Sequence, residues 1–215
     1  LIGDPVDQSV SHISHNEVLR GLGLKAVYVK IPVHAHELDD FLRMAQTIGM
    51  KGLSVTMPLK EHVMQYCDSS TEDATQIGAV NTLAFSDGKI IGSNTDCVGA
   101  LDALESHISV KGKHIVVLGA GGAARAIAWQ AMQRGANVTV CNRNKARAEE
   151  LASFLGCRAG GLDELGSSYS IIINASSVSS PIDPQYIIPG CVAMDIRTRP
   201  KETLFLQEAK ARGCK

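Results

Sequence analysis

The sequence predicts an α/β protein of two lobes, and three observations lead to this fold class. Apolar runs of strand length alternate with helical segments along the whole chain. Such alternation is typical of βαβ units and parallel sheets. A glycine-rich turn after a strongly apolar run begins a second series of these units near residue 114. With 215 residues, the chain is long enough for two small domains that each bury a core.

The individual elements are predicted from hydrophobic periodicity. The predicted strands are Ala26–Ile31, Leu53–Thr56, Val80–Phe85, His114–Leu118, Asn137–Cys141, Ser170–Asn174 and Cys191–Asp195. The predicted helices are Ser14–Leu22, His36–Ile48, Cys97–Ser106, Gly122–Arg134 and Ala146–Leu155. Asp87-Gly88, between two apolar runs, predicts a hairpin turn. We place the boundary between the lobes near Leu104–Lys113, so that the first domain is residues 1–105 and the second is residues 106–215, with a cleft between them.

The composition argues against several classes of function. Hydrophobic residues make up 45% of the chain and charged residues 20%, and the net charge is −1. These values are ordinary for a globular protein, and they show no basic excess for nucleic acid or an anionic membrane surface. No apolar run reaches the roughly 18 residues of a membrane span. The six cysteines form no Cys-x-x-Cys pair, so we expect free thiols in a reducing compartment and no zinc site.

A glycine-rich motif predicts a nucleotide-binding turn. The motif consists of Gly119, Ala120, Gly121, Gly122 and Ala123, directly after the apolar run His114–Leu118. Gly119 would permit the tight turn, and Gly121 would let the backbone approach a pyrophosphate. The start of the following helix would offer unpaired N–H groups and positive dipole charge to the phosphates. The alternative is a tight strand–helix turn that binds no ligand.

The residues after the next strand favour NADP over NAD. That strand ends at Cys141, and Asn142, Arg143 and Lys145 follow it. An NAD-binding domain usually has an acidic residue here, which holds the ribose 2′-hydroxyl. An aspartate would repel a 2′-phosphate, whereas a guanidinium can bind it with two hydrogen bonds. We therefore predict a Rossmann-type NADP-binding domain, and the alternative is a solvated basic helix start.

Short polar motifs stand at the ends of predicted strands in the first lobe. They are Ser9-Val-Ser11, Ser54-Val-Thr56-Met-Pro58-Leu-Lys60, Gly78-Ala-Val-Asn81-Thr82 and Gly92-Ser-Asn94-Thr95-Asp96. Strand ends that face a crevice are where open α/β sheets bind ligands. The motifs offer hydroxyls, an amide, a cation and an anion, which suit a small ligand with several hydroxyls and a carboxylate.

Taken in order, these motifs resemble those of the shikimate dehydrogenase family. The resemblance runs from Leu1 to about Thr203 and rests on Ile-Gly-Asp-Pro-Val, Val-Thr-x-Pro-x-Lys, Gly-Ala-Val-Asn-Thr, Asn-Thr-Asp-x-x-Gly, Gly-Ala-Gly-Gly-Ala-Ala-Arg and Cys-Asn-Arg. It implies a two-lobe, NADP-dependent dehydrogenase that interconverts 3-dehydroshikimate and shikimate in aromatic amino-acid biosynthesis. The first domain would bind the substrate and the second would bind NADP. The expected compartment is the cytoplasm, or the plastid in a plant.

The resemblance also implies roles for individual residues. Ser9 and Ser11 would bind the substrate carboxylate, and Lys60 and Asp96 would flank the carbon that is oxidised or reduced. The residues expected to bind ring hydroxyls are Thr56, Asn81 and Asp96. General chemistry agrees in part, since reducing a ketone requires a proton for the developing alkoxide, and a nearby cation stabilises its charge.

Each of these residues also has a simpler interpretation. Lys60 follows Pro58, which suits the first position of a helix, and it could be an ordinary exposed lysine. Asp96 could cap a helix that starts at Cys97, and the two serines could be loop or cap residues. A positive helix end should lower the pKa of Lys60, whereas Asp96 should raise it. His15 is interpreted as structural.

The chain departs from the family pattern at several positions. His12 stands where the family usually has proline, Ser54 replaces a usual asparagine, and Thr198 replaces a substrate-contacting tyrosine with a shorter hydroxyl. The family's C-terminal segment, whose helix returns to the first lobe, has no counterpart before Lys215. We therefore expect a polypeptide that is incomplete at both ends, with exposed apolar surface on its first lobe. A dehydroquinate dehydratase domain, fused to this chain in a longer polypeptide, is the expected partner.

Three functions follow from these observations. An NADP-dependent shikimate dehydrogenase is favoured. An NAD-preferring quinate/shikimate dehydrogenase is disfavoured by Arg143 and Lys145. A non-catalytic nucleotide-binding fragment is disfavoured because the chain has both Lys60 and Asp96.

Overall fold

The computed structural model describes residues 1–163, 165, 168–197 and 199–215, with the side chain of Cys97 excepted. These residues form two compact units, Leu1–Asn94 and Thr95–Lys215. Thr198, which we expected to replace a tyrosine, lies outside the described residues. The predicted α/β class is confirmed in both units.

The first unit alternates short strands with helices. Its elements are β1 (Ile2–Gly3), α1 (Ser11–Gly21), β2 (Ile31–Pro32), α2 (Leu38–Thr47), β3 (Gly52–Ser54), α3 (Leu59–His62), β4 (Ser69–Ser70), α4 (Glu72–Ile77), β5 (Thr82–Ser86) and β6 (Lys89–Ser93). One sheet has the order β3-β5-β6-β4, in which β5 is antiparallel to both of its neighbours. The parallel pair β1–β2 joins this sheet through a parallel bridge between Ile2 and Val55. The predicted hairpin turn at Asp87-Gly88 connects β5 to β6.

Helix α2 shows how the core of this unit forms. Its buried residues are Leu38, Phe41, Leu42 and Ala45, which recur at the spacing of one helix face. They belong to one apolar cluster with Leu53 on β3, Val55 directly after β3 and Leu83 on β5. The amphipathic pattern of the sequence therefore determines which face of α2 covers the sheet.

Helix α1 lacks such a buried face. None of its residues, all of which the structure describes, is buried. Ile13 is 55% exposed and Leu22 is 68% exposed, and Val27 in the segment after the helix is 75% exposed. These apolar side chains of the first unit are therefore exposed.

The second unit is a five-stranded parallel sheet against which α-helices pack. Its elements are α5 (Asp96–Glu105), β7 (His114–Leu118), α6 (Gly122–Gln133), β8 (Asn137–Cys141), α7 (Lys145–Leu155), β9 (Arg158–Gly160), β10 (Ile171–Asn174), β11 (Val192–Asp195) and α8 (Leu204–Ala211). The strand order is β11-β10-β7-β8-β9, and every neighbouring pair is parallel. The unit is therefore a Rossmann-type domain, as predicted.

The division between the two units falls before α5, and not at residue 105 as we predicted. Leu101 and Leu104 of α5 are buried in the same apolar cluster as Ile127 of α6. Arg134, directly after α6, donates hydrogen bonds to Asp102 at 2.6 Å and to Glu105 at 2.7 Å. The bond from Arg134 holds the pKa of the Glu105 carboxyl below its usual value. These contacts attach α5 to the second unit, although it begins directly after a first-unit strand.

The predicted strand Ala26–Ile31 is wrong for most of its length, because only Ile31 belongs to a strand. The backbone of Tyr28 bonds to a side chain instead of a neighbouring strand. Its N–H donates to Asn16 Oδ1 at 2.8 Å, and its carbonyl accepts from Asn16 Nδ2 at 2.8 Å. The segment before Ile31, in which apolar and polar residues alternate, therefore bonds to α1 and does not join a sheet.

The five cysteines whose side chains the structure describes are free thiols: Cys67, Cys141, Cys157, Cys191 and Cys214. Burial raises the pKa of the Cys191 thiol to about 12. Cys191 is therefore a protonated thiol at neutral pH and a poor nucleophile.

Candidate active site

Polar residues of the first unit lie at one end of three neighbouring strands of its sheet. In the strand register, Ser54 at the end of β3 pairs with Thr82 at the start of β5, and Thr82 pairs with Ser93 at the end of β6. The segments that carry Thr56 and Asn81 therefore leave the sheet side by side. Three of the four polar sequence motifs, those that contain Thr56, Asn81 and Asn94, therefore lie beside one another within the first unit.

Thr56 is held by the neighbouring strand and by the next helix. Its N–H donates to the carbonyl of Ile2 at 2.9 Å, and its own carbonyl accepts from Leu59 at 2.9 Å. Gly3 has a φ of +152°, and a Cβ built there would clash with Thr56 Cγ2 and lie 2.7 Å from the Met57 carbonyl oxygen. A glycine is required at this position because β1 passes so close to the threonine.

Asn81 is buried, with 8% of its surface exposed. Its Oδ1 accepts a hydrogen bond from Thr82 Oγ1 at 2.9 Å, and its backbone bonds to both neighbouring segments, at Val55 and Ser93. Asn94 is also buried, and its side chain donates to the carbonyl of Ala79 at 2.9 Å. The two amides thus stabilise the loop before β5 and present Asn81 in a defined orientation.

Lys60 is the second residue of α3. Pro58 is the N-cap residue of this helix and Leu59 is its first residue, so the predicted placement of Pro58 inside the helix is wrong by one position. The carbonyl of Lys60 accepts from Val80 N–H at 2.8 Å, which ties the helix start to the segment leading to Asn81. Backbone hydrogen bonds therefore join the segment that carries Thr56 and Lys60 to the segment that carries Asn81, which lies much further along the chain.

Ser9 and Ser11 lie where the loop from β1 enters α1. Their hydroxyl oxygens are 2.8 Å apart, and Ser11 N–H donates to Ser9 Oγ at 3.3 Å. Lys30 Nζ donates to the carbonyls of Asp7 and Ser9, which fixes the loop. One hydroxyl donates to the other here, and both hydrogens can bond to the two oxygens of a carboxylate once a ligand replaces that bond.

His15 lies on α1, one helical turn after Ser11. Its Nδ1 is 2.7 Å from the Ser11 carbonyl, and its ring stacks on Tyr28 with 4.3 Å between the ring centroids. These contacts support the structural interpretation of His15.

Asp96 is the first residue of α5, and Thr95 is the N-cap residue. The predicted alternative, in which Asp96 caps a helix that starts at Cys97, is therefore wrong. A carboxylate in the first turn of a helix is stabilised by the helix dipole. Asp96 belongs to the second unit and Lys60 to the first, so their pairing at a reacting carbon stays a prediction.

The glycine turn of the second unit leads from β7 into α6. Gly119 has a φ of +120°, and a Cβ built there would lie 3.0 Å from the Ala175 carbonyl oxygen. Only glycine suits this position without strain. Gly121, the N-cap residue of α6, is exposed, and no atom of the described residues, apart from those adjoining it in the chain, lies within 4 Å of a built Cβ. The turn therefore leaves open space at the helix N-terminus, which fits a dinucleotide phosphate.

Arg143 lies in the short connection between β8 and α7, Lys145 is the first residue of α7, and both are exposed. Asn142 is half-buried, and its Nδ2 donates to the Asn144 carbonyl at 3.0 Å. The first turns of α6 and α7, which are described in full, contain no acidic residue. Both helix starts therefore favour anions.

A buried polar cluster at the ends of β10 and β11 was missed by the sequence analysis. Asn174 and Thr203 are fully buried, and both hydrogen-bond to Asp195. Polar residues at the carboxyl ends of two apolar strands are the signal that could have indicated this cluster.

Two further findings concern the described part of the chain. No three of its His, Cys, Asp and Glu side chains are grouped in a way that could hold a metal ion. None of its helices is both long and apolar enough to cross a membrane.

The chain is similar to proteins of one family over nearly its whole length. A family model described as the shikimate dehydrogenase substrate binding domain matches residues 1–83, and one described as shikimate / quinate 5-dehydrogenase matches residues 102–204. The shikimate dehydrogenase (NADP(+)) of Pyrococcus abyssi is 39% identical, with 100% of this chain and 83% of that protein covered.

Two other similarities bear on ligands and on chain organisation. The crystal structure of shikimate 5-dehydrogenase from Thermus thermophilus in complex with NADP(H) and shikimate matches with a TM-score of 0.92 and 36% identity, covering 100% of this chain and 84% of that chain. A shikimate biosynthesis protein of Chlamydia pneumoniae is 40% identical over 99% of this chain, which covers 45% of that protein.

Proposed function

The chain belongs to the shikimate dehydrogenase family, and from this premise we propose that it is an NADP-dependent oxidoreductase that interconverts 3-dehydroshikimate and shikimate. The observation that carries the proposal is the set of backbone hydrogen bonds that join the segment of Thr56 and Lys60 to the segment of Asn81, in a chain that also has the Gly119 turn. The Thermus thermophilus structure with NADP(H) and shikimate supports this assignment of ligands.

The first unit is proposed to bind the substrate. Ser9 and Ser11 would bind its carboxylate, because their paired hydroxyls can donate to two oxygens. The groups proposed for the ring hydroxyls are Thr56, Asn81 and Asp96. Burial of Asn81 supports its role, since a buried amide in a defined orientation selects a hydroxyl more strictly than a mobile surface group does.

Lys60 and Asp96 are proposed as the catalytic pair. NADPH, when bound, supplies the hydride that reduces the ketone carbon. The Lys60 ammonium donates a proton to the oxygen that becomes the hydroxyl, and its charge stabilises the developing alkoxide. In the oxidising direction Lys60 accepts that proton. Asp96 accepts hydrogen bonds from the reacting hydroxyl and from Lys60, and so orients the two groups toward each other.

The second unit is proposed to bind NADP. Gly119, Ala120, Gly121, Gly122 and Ala123 would surround the pyrophosphate. Asn142, Arg143 and Lys145 would bind the adenosine ribose and its 2′-phosphate. The exposed basic residues and the absence of acidic residues from the described first turn of α7 support NADP over NAD.

Replacing Arg143 with alanine is expected to raise the Michaelis constant for NADP on the order of 10- to 100-fold, the value of a charged bidentate contact. Use of NAD should change little, because NAD has no 2′-phosphate. Arg158→Ala, which removes an exposed arginine on β9, is the control and should leave both constants unchanged. Equal losses for NADP and NAD would contradict the proposed role of Arg143.

One assay tests the proposed function as a whole. The purified chain should reduce NADP in the presence of shikimate, and more slowly or not at all with quinate or with NAD. Faster reaction with NAD would favour a quinate/shikimate dehydrogenase. Binding of NADP without any turnover on either substrate would favour a non-catalytic nucleotide-binding module.

A fused dehydroquinate dehydratase domain is proposed as a partner in the native polypeptide. The Chlamydia pneumoniae relative supports a longer polypeptide, because this chain covers 45% of it. The size of the native polypeptide tests this proposal. The free thiols support a reducing compartment, for which we propose the cytoplasm, or the plastid in a plant.

A further inference from the structure

The carboxyl edge of the parallel sheet contains a polar network to which the proposed function assigns no role. Asn174 ends β10 and Asp195 ends β11, and the two residues face each other in the strand register. Asn174 and Thr203 are both fully buried. Buried polar groups at strand ends are costly unless each is bonded, so the network is a specific arrangement of donors and acceptors.

The Asp195 carboxylate is the acceptor that joins this network. Its Oδ2 accepts from Thr203 Oγ1 at 2.7 Å and from Asn174 Nδ2 at 3.1 Å, and its Oδ1 accepts from Arg197 N–H at 2.9 Å. Three donors therefore converge on one carboxylate. An amide of the same shape has only one acceptor oxygen, so it cannot accept all three bonds.

The Asn174 side chain holds the loop that follows β10. Its Nδ2 also donates to the Val178 carbonyl at 3.0 Å, and its Oδ1 accepts from the N–H and the hydroxyl of Ser176 at 3.0 and 2.8 Å. The bond to Asp195 fixes which end of the amide faces the carboxylate. Consequently, it also fixes which end faces the loop, and the loop conformation depends on Asp195.

This loop lies next to the glycine turn. The Ala175 carbonyl is the group that a Cβ at Gly119 would meet at 3.0 Å. From β7 the chain continues outward through β8 and β9, and it then crosses back to form β10 on the opposite side of β7. The strand order therefore reverses between β7 and β10, which is the topological switch point of the sheet. Dinucleotides bind across such a point, with one half over each side. Arg143, which we propose to bind the adenosine 2′-phosphate, follows β8, so the adenosine half would lie on the β8 side of the switch point. The nicotinamide half would then lie on the β10 side.

We propose that Asp195 is a positioning residue that, through Asn174, holds the 175–178 loop in the conformation that receives the nicotinamide half of NADP(H). This inference rests on the proposed function. It assigns Asp195 no contact with the cofactor, because the effect of the carboxylate reaches the loop through the orientation of the Asn174 amide.

Two ligands test the inference on the full chain. NADPH has both halves, whereas adenosine 2′,5′-bisphosphate has only the adenosine half. Asp195→Asn is expected to weaken NADPH binding about tenfold, the value of a lost charged hydrogen bond, and to leave adenosine 2′,5′-bisphosphate binding unchanged. Binding is measured by NADPH fluorescence and by calorimetry, so the readout does not depend on catalysis.

A second pair of variants covers the case in which Asp195→Asn fails to fold. Thr203→Val removes one donor to Asp195 and should give a smaller loss in the same direction. Thr203→Ser keeps the hydroxyl and should behave as the parent chain. Unchanged NADPH affinity in the folded variants, or an equal loss for both ligands, would overturn the positioning role. A parent chain that binds neither ligand would instead contradict the proposed function itself.

Discussion

Replacing Lys60 with alanine is expected to lower the turnover number about 10²- to 10⁴-fold, the usual span for general acid–base catalysis. The substrate loses both its proton donor and the cation that stabilises the alkoxide. The Michaelis constant for shikimate should change much less, because Ser9, Ser11, Thr56 and Asn81 would still hold the ring. Steady-state kinetics in both directions separates the two constants.

Two further lysine variants make this result specific. Lys60→Arg keeps a positive charge but almost never releases a proton at neutral pH, so its turnover should also fall strongly. Lys89→Ala removes an exposed lysine from β6 and should leave turnover unchanged. If Lys60→Ala kept near-normal turnover and lost only shikimate affinity, Lys60 would be a binding residue and the mechanism would be wrong.

Replacing Asp96 with asparagine is expected to lower turnover about 10²-fold or more, because the neutral amide cannot balance the charge of Lys60 and has only one acceptor oxygen for the lysine and the reacting hydroxyl. Asp73→Asn is the matched control, since Asp73 is an exposed carboxylate in the first turn of another helix, α4. Its loss should affect stability slightly and turnover not at all.

The double variant Lys60→Ala, Asp96→Asn tests whether the two residues act as a unit. Its turnover should be lower than that of either single variant by much less than the product of the two losses. Fully multiplicative losses would show that the residues act independently, and the proposed pair would then be abandoned. This experiment is informative because the two residues belong to different compact units of the chain.

Local signals were sufficient for much of the fold. Helix α2 follows directly from its apolar spacing, and the Asp87-Gly88 turn follows from two residues that accept positive φ angles. Residues 26–31 were wrongly predicted as a strand because apolar and polar residues alternate there. In the structure, the Asn16 side chain hydrogen-bonds to the backbone N–H and carbonyl of Tyr28. Periodicity describes which faces are apolar, and it contains no information about which group will satisfy a backbone hydrogen bond.

By itself, the sequence determined the Rossmann-type unit, its glycine turn and the basic residues after β8. These depend on interactions between residues close together in the chain: a φ angle, a helix dipole and a run of buried strand residues. Only the tertiary structure decided that the segment of Thr56 and Lys60 bonds to the segment of Asn81, that α5 packs on α6, and that Asp195 bonds to Asn174. Each of these depends on strand order and register, which bring distant segments together through hydrogen bonds and burial that no local pattern encodes.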